Sequence, residues 1–270
     1  MLKDITIGQY FPGKSLVHRL DPRVKIILIV AFIVMLFIAD SFFGLGVGMV
    51  FVLGAFLISG IPFKMMLKSL KPIMPLLIFT GLLNILFIRT GEVIWKWKFI
   101  VITELGVTTA LFMVIRIVAL IIGSSLLTYT TSPIQLTDAI ERLFSPLKVI
   151  KVPVHELAMM MTIALRFIPT LIEETDKIMS AQKARGADLE TGSVIQRAKA
   201  LIPIFVPLIV SSFRRAEELA LAMECRCYHG GEGRTRLKQL KTSFRDYAAL
   251  FVTAVFIAGV VFADKIDFII

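Results

Sequence analysis

The sequence predicts an all-α integral membrane protein with about five transmembrane helices and a cytoplasmic domain of long amphipathic helices. Three observations predict it. Hydrophobic residues make up 57% of the 270 residues and charged residues 19%; a soluble domain sits near about 45–50% apolar with about a quarter charged, so lipid must cover the excess. Five apolar runs approach the roughly 20 residues that cross a bilayer: Val24–Ala39, Phe42–Ile61, Ile73–Ile88, Leu105–Leu127 and Tyr247–Ala263. The basic residues, finally, are distributed very unevenly among the segments between those runs.

The first and third runs are short, so Arg23, Lys25, Lys71 and Arg89 are expected to snorkel toward the headgroups. Polar and mixed residues precede the first run, and no cleavable signal is expected there. Two further apolar stretches, Leu157–Ile172 and Leu201–Phe213, are ambiguous. The first holds Arg166 and Pro169, the second Pro203 and Pro207. If both crossed the bilayer, the segment between them would carry Lys177, Lys183, Arg185, Arg197 and Lys199 outward, against the preference for Lys and Arg on the cytoplasmic side. Both therefore read as interfacial or bundle helices.

With the N-terminus inside, the cytoplasmic segments carry five basic residues before and at the start of the first span, then Lys64, Lys68 and Lys71, then 17 in residues 132–245, out of 30 in the chain. Only Arg89, Lys96, Lys98 and Lys265 fall outside, and Arg116 lies within a span. The expected organisation is residues 1–131 as a four-span membrane domain, 132–245 as a cytoplasmic domain, and 246–270 as a final transmembrane helix. Cys225 and Cys227 stand too close together to form a disulfide framework and fit a reducing compartment.

Within 132–245 the apolar period is helical. Leu157, Met161, Ala164, Ile168, Leu171, Thr175 and Ile178 recur every three or four residues; so do Phe205, Leu208, Ser212, Ala216, Leu219 and Met223. Ser212, Ala216 and Ala220 are small and four apart, which lets another helix approach. Each helix ends alike: Ala184-Arg185-Gly186 in the first, Cys225-Arg226-Cys227 ahead of Tyr228, His229, Gly230 and Gly231 in the second. One account is ordinary capping, with a cation at the negative helix end and a residue that takes the left-handed conformation. The other is a plug, because an arginine among small residues enters a narrow acidic groove and makes forked hydrogen bonds to carboxylates.

The ordered set of motifs resembles a known family nearly end to end. It comprises His18-Arg19-Leu20-Asp21-Pro22-Arg23-Val24-Lys25, Leu165-Arg166-Phe167-Ile168-Pro169 and Ala184-Arg185-Gly186. It continues with Ala216-Glu217-Glu218-Leu219-Ala220, Arg226-x-Tyr228-x-Gly230-Gly231 and Arg234-Thr235-Arg236. The chain is similar to the transmembrane T component of energy-coupling factor transporters, ABC-type importers of vitamins and metal ions. The resemblance implies a non-catalytic scaffold in the bacterial inner membrane that transmits the motion of two cytoplasmic ABC ATPase subunits to a separate substrate-binding membrane S component. It implies no cofactor and no nucleic-acid partner. Carried over by position, Ala184, Arg185 and Gly186, with Cys225, Arg226 and Cys227, are the ATPase-coupling residues. The second motif departs from the family pattern in having Cys225 and Cys227 where Ala and Gly are usual.

Other readings are weaker. Cys225, Cys227 and His229 lack the paired spacing of a zinc site and a fourth nearby ligand, and no Walker signature for ATP hydrolysis is present. Arg116, near the middle of a span, is a candidate functional residue by default. It is expected either to contact substrate or partner, or to be satisfied by Asn84 or a backbone carbonyl. The alternative for the whole chain is a self-contained permease or a membrane-bound enzyme. The three histidines His18, His155 and His229 are far apart, and no internal repeat or broken span appears.

Overall fold

The computed structural model describes residues 10–97, 100–187, 193–230 and 240–267. In chain order its helices are α1 (Pro22–Ile38), α2 (Phe42–Ser59), α3 (Phe63–Leu70), α4 (Met74–Phe87), α5 (Glu104–Thr130), α6 (Pro133–Leu143), α7 (Val154–Ala184), α8 (Val194–Glu224) and α9 (Phe244–Asp267). Two compact units divide the chain: one is formed by Gly8–Ala139 with Gln239–Ile270, the other contains Ile140–Lys238.

The first unit packs α1, α2, α3, α4, α5 and α9. Three of its helices, α1, α2 and α5, start where the sequence offers a side-chain cap. Asp21 accepts from the Arg23 amide with Pro22 in the first turn, Ser41 accepts from Gly44, and Thr103 accepts from Gly106, each satisfying an amide that the helix leaves unpaired. The core runs through Phe32, Met35, Leu36, Leu45, Val52, Phe56, Ala119, Ile122, Tyr129 and Val260. Gly123 is required on α5, because a Cβ there would collide with the Phe32 ring of α1.

Two aspartates fix α9 against both ends of α1. At one end Asp246 accepts from the amides of Asp21 at 2.8 Å and Ser243 at 2.6 Å. At the other, Asp264 accepts from the amides of Asp40 at 3.2 Å and Ser41 at 3.0 Å, and from the Ser41 hydroxyl at 2.5 Å. The aspartates are eighteen residues apart, about 27 Å along a helix, close to the roughly 30 Å hydrocarbon core of a bilayer.

Five helical segments are long and apolar enough to cross a membrane: Phe42–Ser59, Phe63–Phe87, Glu104–Thr130, Val154–Ala184 and Phe244–Lys265. The chain is an all-α membrane protein. Against the five expected, one begins earlier, one is missing and one is added. The expected third span, Ile73–Ile88, begins earlier, because α3, a 3-10 turn at Lys71–Ile73 and α4 run on as one segment. The first expected span, α1, has 17 residues and lacks the length by itself, yet its two ends are tied to the aspartates that bracket α9. Val154–Ala184, read from charge as non-spanning, has sufficient length and apolarity; what sets it apart is the charge it carries in its second half.

Two further differences have physical causes. Lys25 does not snorkel: it is 4% exposed, and its Nζ donates to the carbonyls of His18 at 3.2 Å and Thr130 at 2.9 Å. Arg23 is held by a fork on Asp21, Nε at 3.1 Å and a terminal nitrogen at 2.8 Å. Local acceptors outcompete headgroups for both. Between α4 and α5 the chain forms a hairpin, β1 (Val93–Trp97) antiparallel to β2 (Ile100–Thr103), with Val93 opposite Thr103 and Trp97 opposite Ile100. Its β-branched and aromatic residues favour that state.

Candidate functional site

The second unit presents α7 and α8, each of 31 residues. The α8 start is closed by a reciprocal capping box: the Gln196 amide donates to the Ser193 hydroxyl at 3.4 Å and the Ser193 amide to the Gln196 side chain at 2.9 Å, a pairing that satisfies two orphan donors. Both helices continue through proline, Pro169 in α7 and Pro203 and Pro207 in α8. Each proline removes one ladder bond and marks a place where a helix bends.

Their C-terminal ends have one geometry. In α7 the Gly186 amide donates to Lys183 at 3.0 Å and the Ala187 amide to Gln182 at 3.0 Å, with Gly186 at φ +86°. In α8 the Cys227 amide donates to Glu224 at 2.8 Å and the Tyr228 amide to Met223 at 3.1 Å, with Cys227 at φ +54°. Both are the paired 6→1 and 5→2 bonds of a Schellman closure. The two motifs therefore superpose residue for residue: Ala184 on Cys225, Arg185 on Arg226, Gly186 on Cys227. The departure of Cys227 from glycine leaves the backbone path unchanged and places a side chain in the left-handed region, a strain of about 1–2 kcal/mol for an L-residue.

Each arginine is thereby the last residue before the chain turns away. Arg185, Arg226, Cys225 and Cys227 are all exposed, and among the described residues neither arginine side chain has a hydrogen bond or ion pair. His229 Nδ1 lies 2.8 Å from the Cys227 carbonyl. Gly231 and the Arg234-Thr235-Arg236 end of the motif lie outside the described residues, as does Asp188.

Glu174 of α7 joins the two helices. It accepts from the Ser211 hydroxyl and, at 2.6 Å, from the Arg215 guanidinium of α8. The Ser211 hydrogen bond first, then Arg215, hold this carboxyl below its ordinary range; Glu174 lies beyond the apolar stretch that ends at Ile172. Glu174 and Arg215 are 41 residues apart, the same separation as Arg185 and Arg226. Each arginine tip thus stands eleven residues from the junction, about 16 Å at helical rise. Neither arm contains proline or glycine between junction and tip. Parallel, side-by-side helices are ruled out by chain length. With Glu174 level with Arg215, the link 185–193 would have to span more than about 40 Å, and nine residues reach at most about 32 Å. The two tips diverge from the junction.

The stripes read in the sequence are covered in part, and the covered face is wider on α8 than the apolar period alone marks. On α8 the half-buried positions of the expected stripe are Leu208, Ser212, Leu219 and Met223, joined by buried Ile204 and by Ser211 and Arg215, whereas Phe205 and Ala216 are exposed. The Glu174 contacts draw in Ser211 and Arg215. On α7 Leu171, Thr175 and Ile178 of the expected stripe are half-buried, while Leu157, Met161 and Ile168 are exposed and Val154 and Ala158 are buried instead. The periodicity was legible; how far along each helix the stripe is covered was not. Glu174 and Arg215 were not singled out either, although the shared 41-residue spacing is a signal that points to them.

Arg116 lies on α5 of the first unit. Its guanidinium donates to the carbonyl of Ala39 at the end of α1 and sits 4.6 Å from the Phe112 ring centroid, within the range of a cation–π contact. Asn84, the other partner weighed for it, donates instead to Thr80 at 2.9 Å.

Residues 13–237 match the family described as Cobalt transport protein. The chain is also similar to proteins named energy-coupling factor transporter transmembrane protein EcfT. One from Clostridium kluyveri is 60% identical over 251 residues, 92% of this chain and 93% of the relative. One from Ruminiclostridium cellulolyticum is 53% identical over 268 residues, 99% and 100% of the two chains. One from Bacillus subtilis is 47% identical over 262 residues, 97% and 98%.

Proposed function

Because the chain belongs to the Cobalt transport protein family and is the transmembrane component of an energy-coupling factor transporter, we propose that its two arginine-tipped helices couple two cytoplasmic ATPase subunits to a separate substrate-binding membrane subunit. The observation that carries this reading is the pair of equivalent helix ends, each presenting an exposed arginine without a partner among the described residues. A planar guanidinium at a helix terminus suits a carboxylate-lined groove, where it makes two parallel hydrogen bonds. Two such tips that diverge from one junction suit two grooves on two subunits. Hydrolysis belongs to those subunits; this chain conveys the movement.

The arms favour that role. They are regular helix from Glu174 to Ala184 and from Arg215 to Glu224, each closed by the turn that carries its arginine, so a displacement at the tip is passed along the helix to the junction, as in rigid-body switching. The prolines lie on the other side of the junction, where bending redirects the motion. Exposed Leu201, Ile202, Phe205, Val206, Ile209 and Phe213 on α8 form an apolar face of the kind that marks an interaction surface, and we assign it to the substrate-binding subunit and the adjoining bilayer.

The test is recovery of the ATPase subunits and substrate uptake in Arg185→Ala, Arg226→Ala and the double variant. Loss of both in the double variant is expected. Normal recovery and normal uptake leave only the capping account. The orientation, with N-terminus and residues 132–245 cytoplasmic, has its own test, since Cys225 and Cys227 are the two cysteines of the chain and both are exposed. With the chain produced without its partners, a membrane-impermeant maleimide labels inside-out vesicles and leaves intact cells unlabelled. Labelling of intact cells overturns the orientation.

A further inference from the structure

A cavity of about 540 Å3 opens among α1, α2, α5 and α9 of the first unit, within the range of about 300–1,000 Å3 typical of ligand sites. Its walls are apolar, with Leu28, Phe51, Ala55, Leu126, Val252 and Phe256 among them, and Arg245 is at one end. No carboxylate is among the described lining residues. Three of its polar side chains are already committed to backbone carbonyls: Lys25 to His18 and Thr130, Thr130 to Leu126, and Thr253 to Ala249. Arg245 is different. It is exposed and has no hydrogen bond or ion pair among the described residues.

The dimensions fit the bilayer. From Arg245 to Phe256 α9 rises about 16 Å, half the roughly 30 Å hydrocarbon thickness. The groove therefore runs one leaflet deep, from a guanidinium at the membrane surface to a phenylalanine near the midplane. We propose that this groove holds an acyl chain of an anionic phospholipid whose phosphate is bound by Arg245. The apolar walls provide for the chain. The guanidinium provides a forked donor for phosphate. A guanidinium unpaired among the described residues at that end favours a headgroup with net negative charge over a zwitterionic one. The inference rests on membrane embedding alone and is independent of ATPase coupling.

The experiment uses the full chain in its transporter complex, reconstituted in bilayers of equal parts phosphatidylglycerol and phosphatidylcholine, then extracted in mild detergent and examined by native mass spectrometry. Retained phosphatidylglycerol in preference to phosphatidylcholine is expected. Arg245→Gln, a surface change, lowers that preference about fivefold, the effect of one basic residue near a membrane surface. Ala55→Phe, which fills the groove, removes retained lipid of both kinds. Equal retention of the two lipids by the native chain, or a preference unchanged in Arg245→Gln, overturns the proposal, and the latter decides the matter even if Ala55→Phe fails to fold. Loss of the substrate-binding subunit in Ala55→Phe with retained lipid undiminished also overturns it, because a protein helix then occupies the groove.

Discussion

The enclosed cations of the membrane unit and the tip cations of the helix pair are used in opposite ways. In the membrane unit Arg23 forks on Asp21, Lys25 is buried on two carbonyls, and Arg116 reaches the end of α1; their partners lie inside the unit. In the helix pair Arg215 is tied to Glu174, while Arg185 and Arg226 extend past the ends of their helices with no partner among the described residues. A buried cation must be paired within the fold, since an unpaired charge in apolar surroundings is prohibitively costly. An exposed one bears no such constraint and remains available. A cation's partner set thus separates those that hold this fold together from those open to another protein.

The sharpest way to break that comparison is at the tips. Replacing both Arg185 and Arg226 by Ala removes on the order of 2–5 kcal/mol per site from binding if each enters an acidic groove. If they serve only the helix dipole, the change is about 0.3–1 kcal/mol per helix. Isothermal titration of purified ATPase subunits onto the reconstituted chain distinguishes the two, and Lys at either site rescues poorly because the fork is lost. The chain's own stability should be nearly unchanged.

In the membrane unit the expectation reverses. Asp246→Ala leaves the amides of Asp21 and Ser243 unpaired near buried Lys25, and is expected to destabilise the bundle by about 3 kcal/mol, read as an earlier thermal transition in detergent. ATPase affinity per folded molecule should not change. An unchanged transition would show that the Asp246 contacts do not hold α9 in place.

A smaller effect compares the two tips with each other. Cys227→Gly relieves a side chain from the left-handed region and is expected to stabilise α8 by about 0.5–1 kcal/mol, net of the entropy that glycine adds to the unfolded chain. Gly186→Ala should destabilise α7 by about 1 kcal/mol for the converse reason. Thermal transitions of both variants check this; equal shifts of one sign would show that the two ends are not equivalent.

The smallest effect is acid-dependent. The carboxyl of Glu174 is lowered by Ser211 and Arg215, so the folded state binds its proton less readily than the unfolded chain does. The stability it lends is present above the ordinary carboxylate value of about 4.3 and is lost as pH falls through the lower folded value. The pair is partly solvent-facing and contributes about 0–1 kcal/mol. Glu174→Gln is expected to flatten the acid limb of stability against pH below about 4, with little change at neutral pH.

By itself, the sequence determined the solvent each segment prefers and where helices stop. Four of the five expected apolar runs fall in segments long and apolar enough to cross a membrane and need no tertiary context to be recognised, and neither do the two Ala-Arg-Gly-like ends, because hydropathy and capping are local properties. Tertiary structure decided the rest. Lys25 reads as a snorkelling residue until Thr130, 105 residues later, supplies a carbonyl. The 17 residues of α1 look too few until Asp246 and Asp264 bracket them from α9. Cys227 reads as a break in a glycine pattern until the amides of Cys227 and Tyr228 close the same turn that Gly186 and Ala187 close. The apolar period of α8 marks Leu208, Ser212, Leu219 and Met223, and only Glu174 of α7 draws in Ser211 and Arg215 beside them. Burial and pairing are relations between residues distant in the chain, and no local pattern fixes which acceptor arrives.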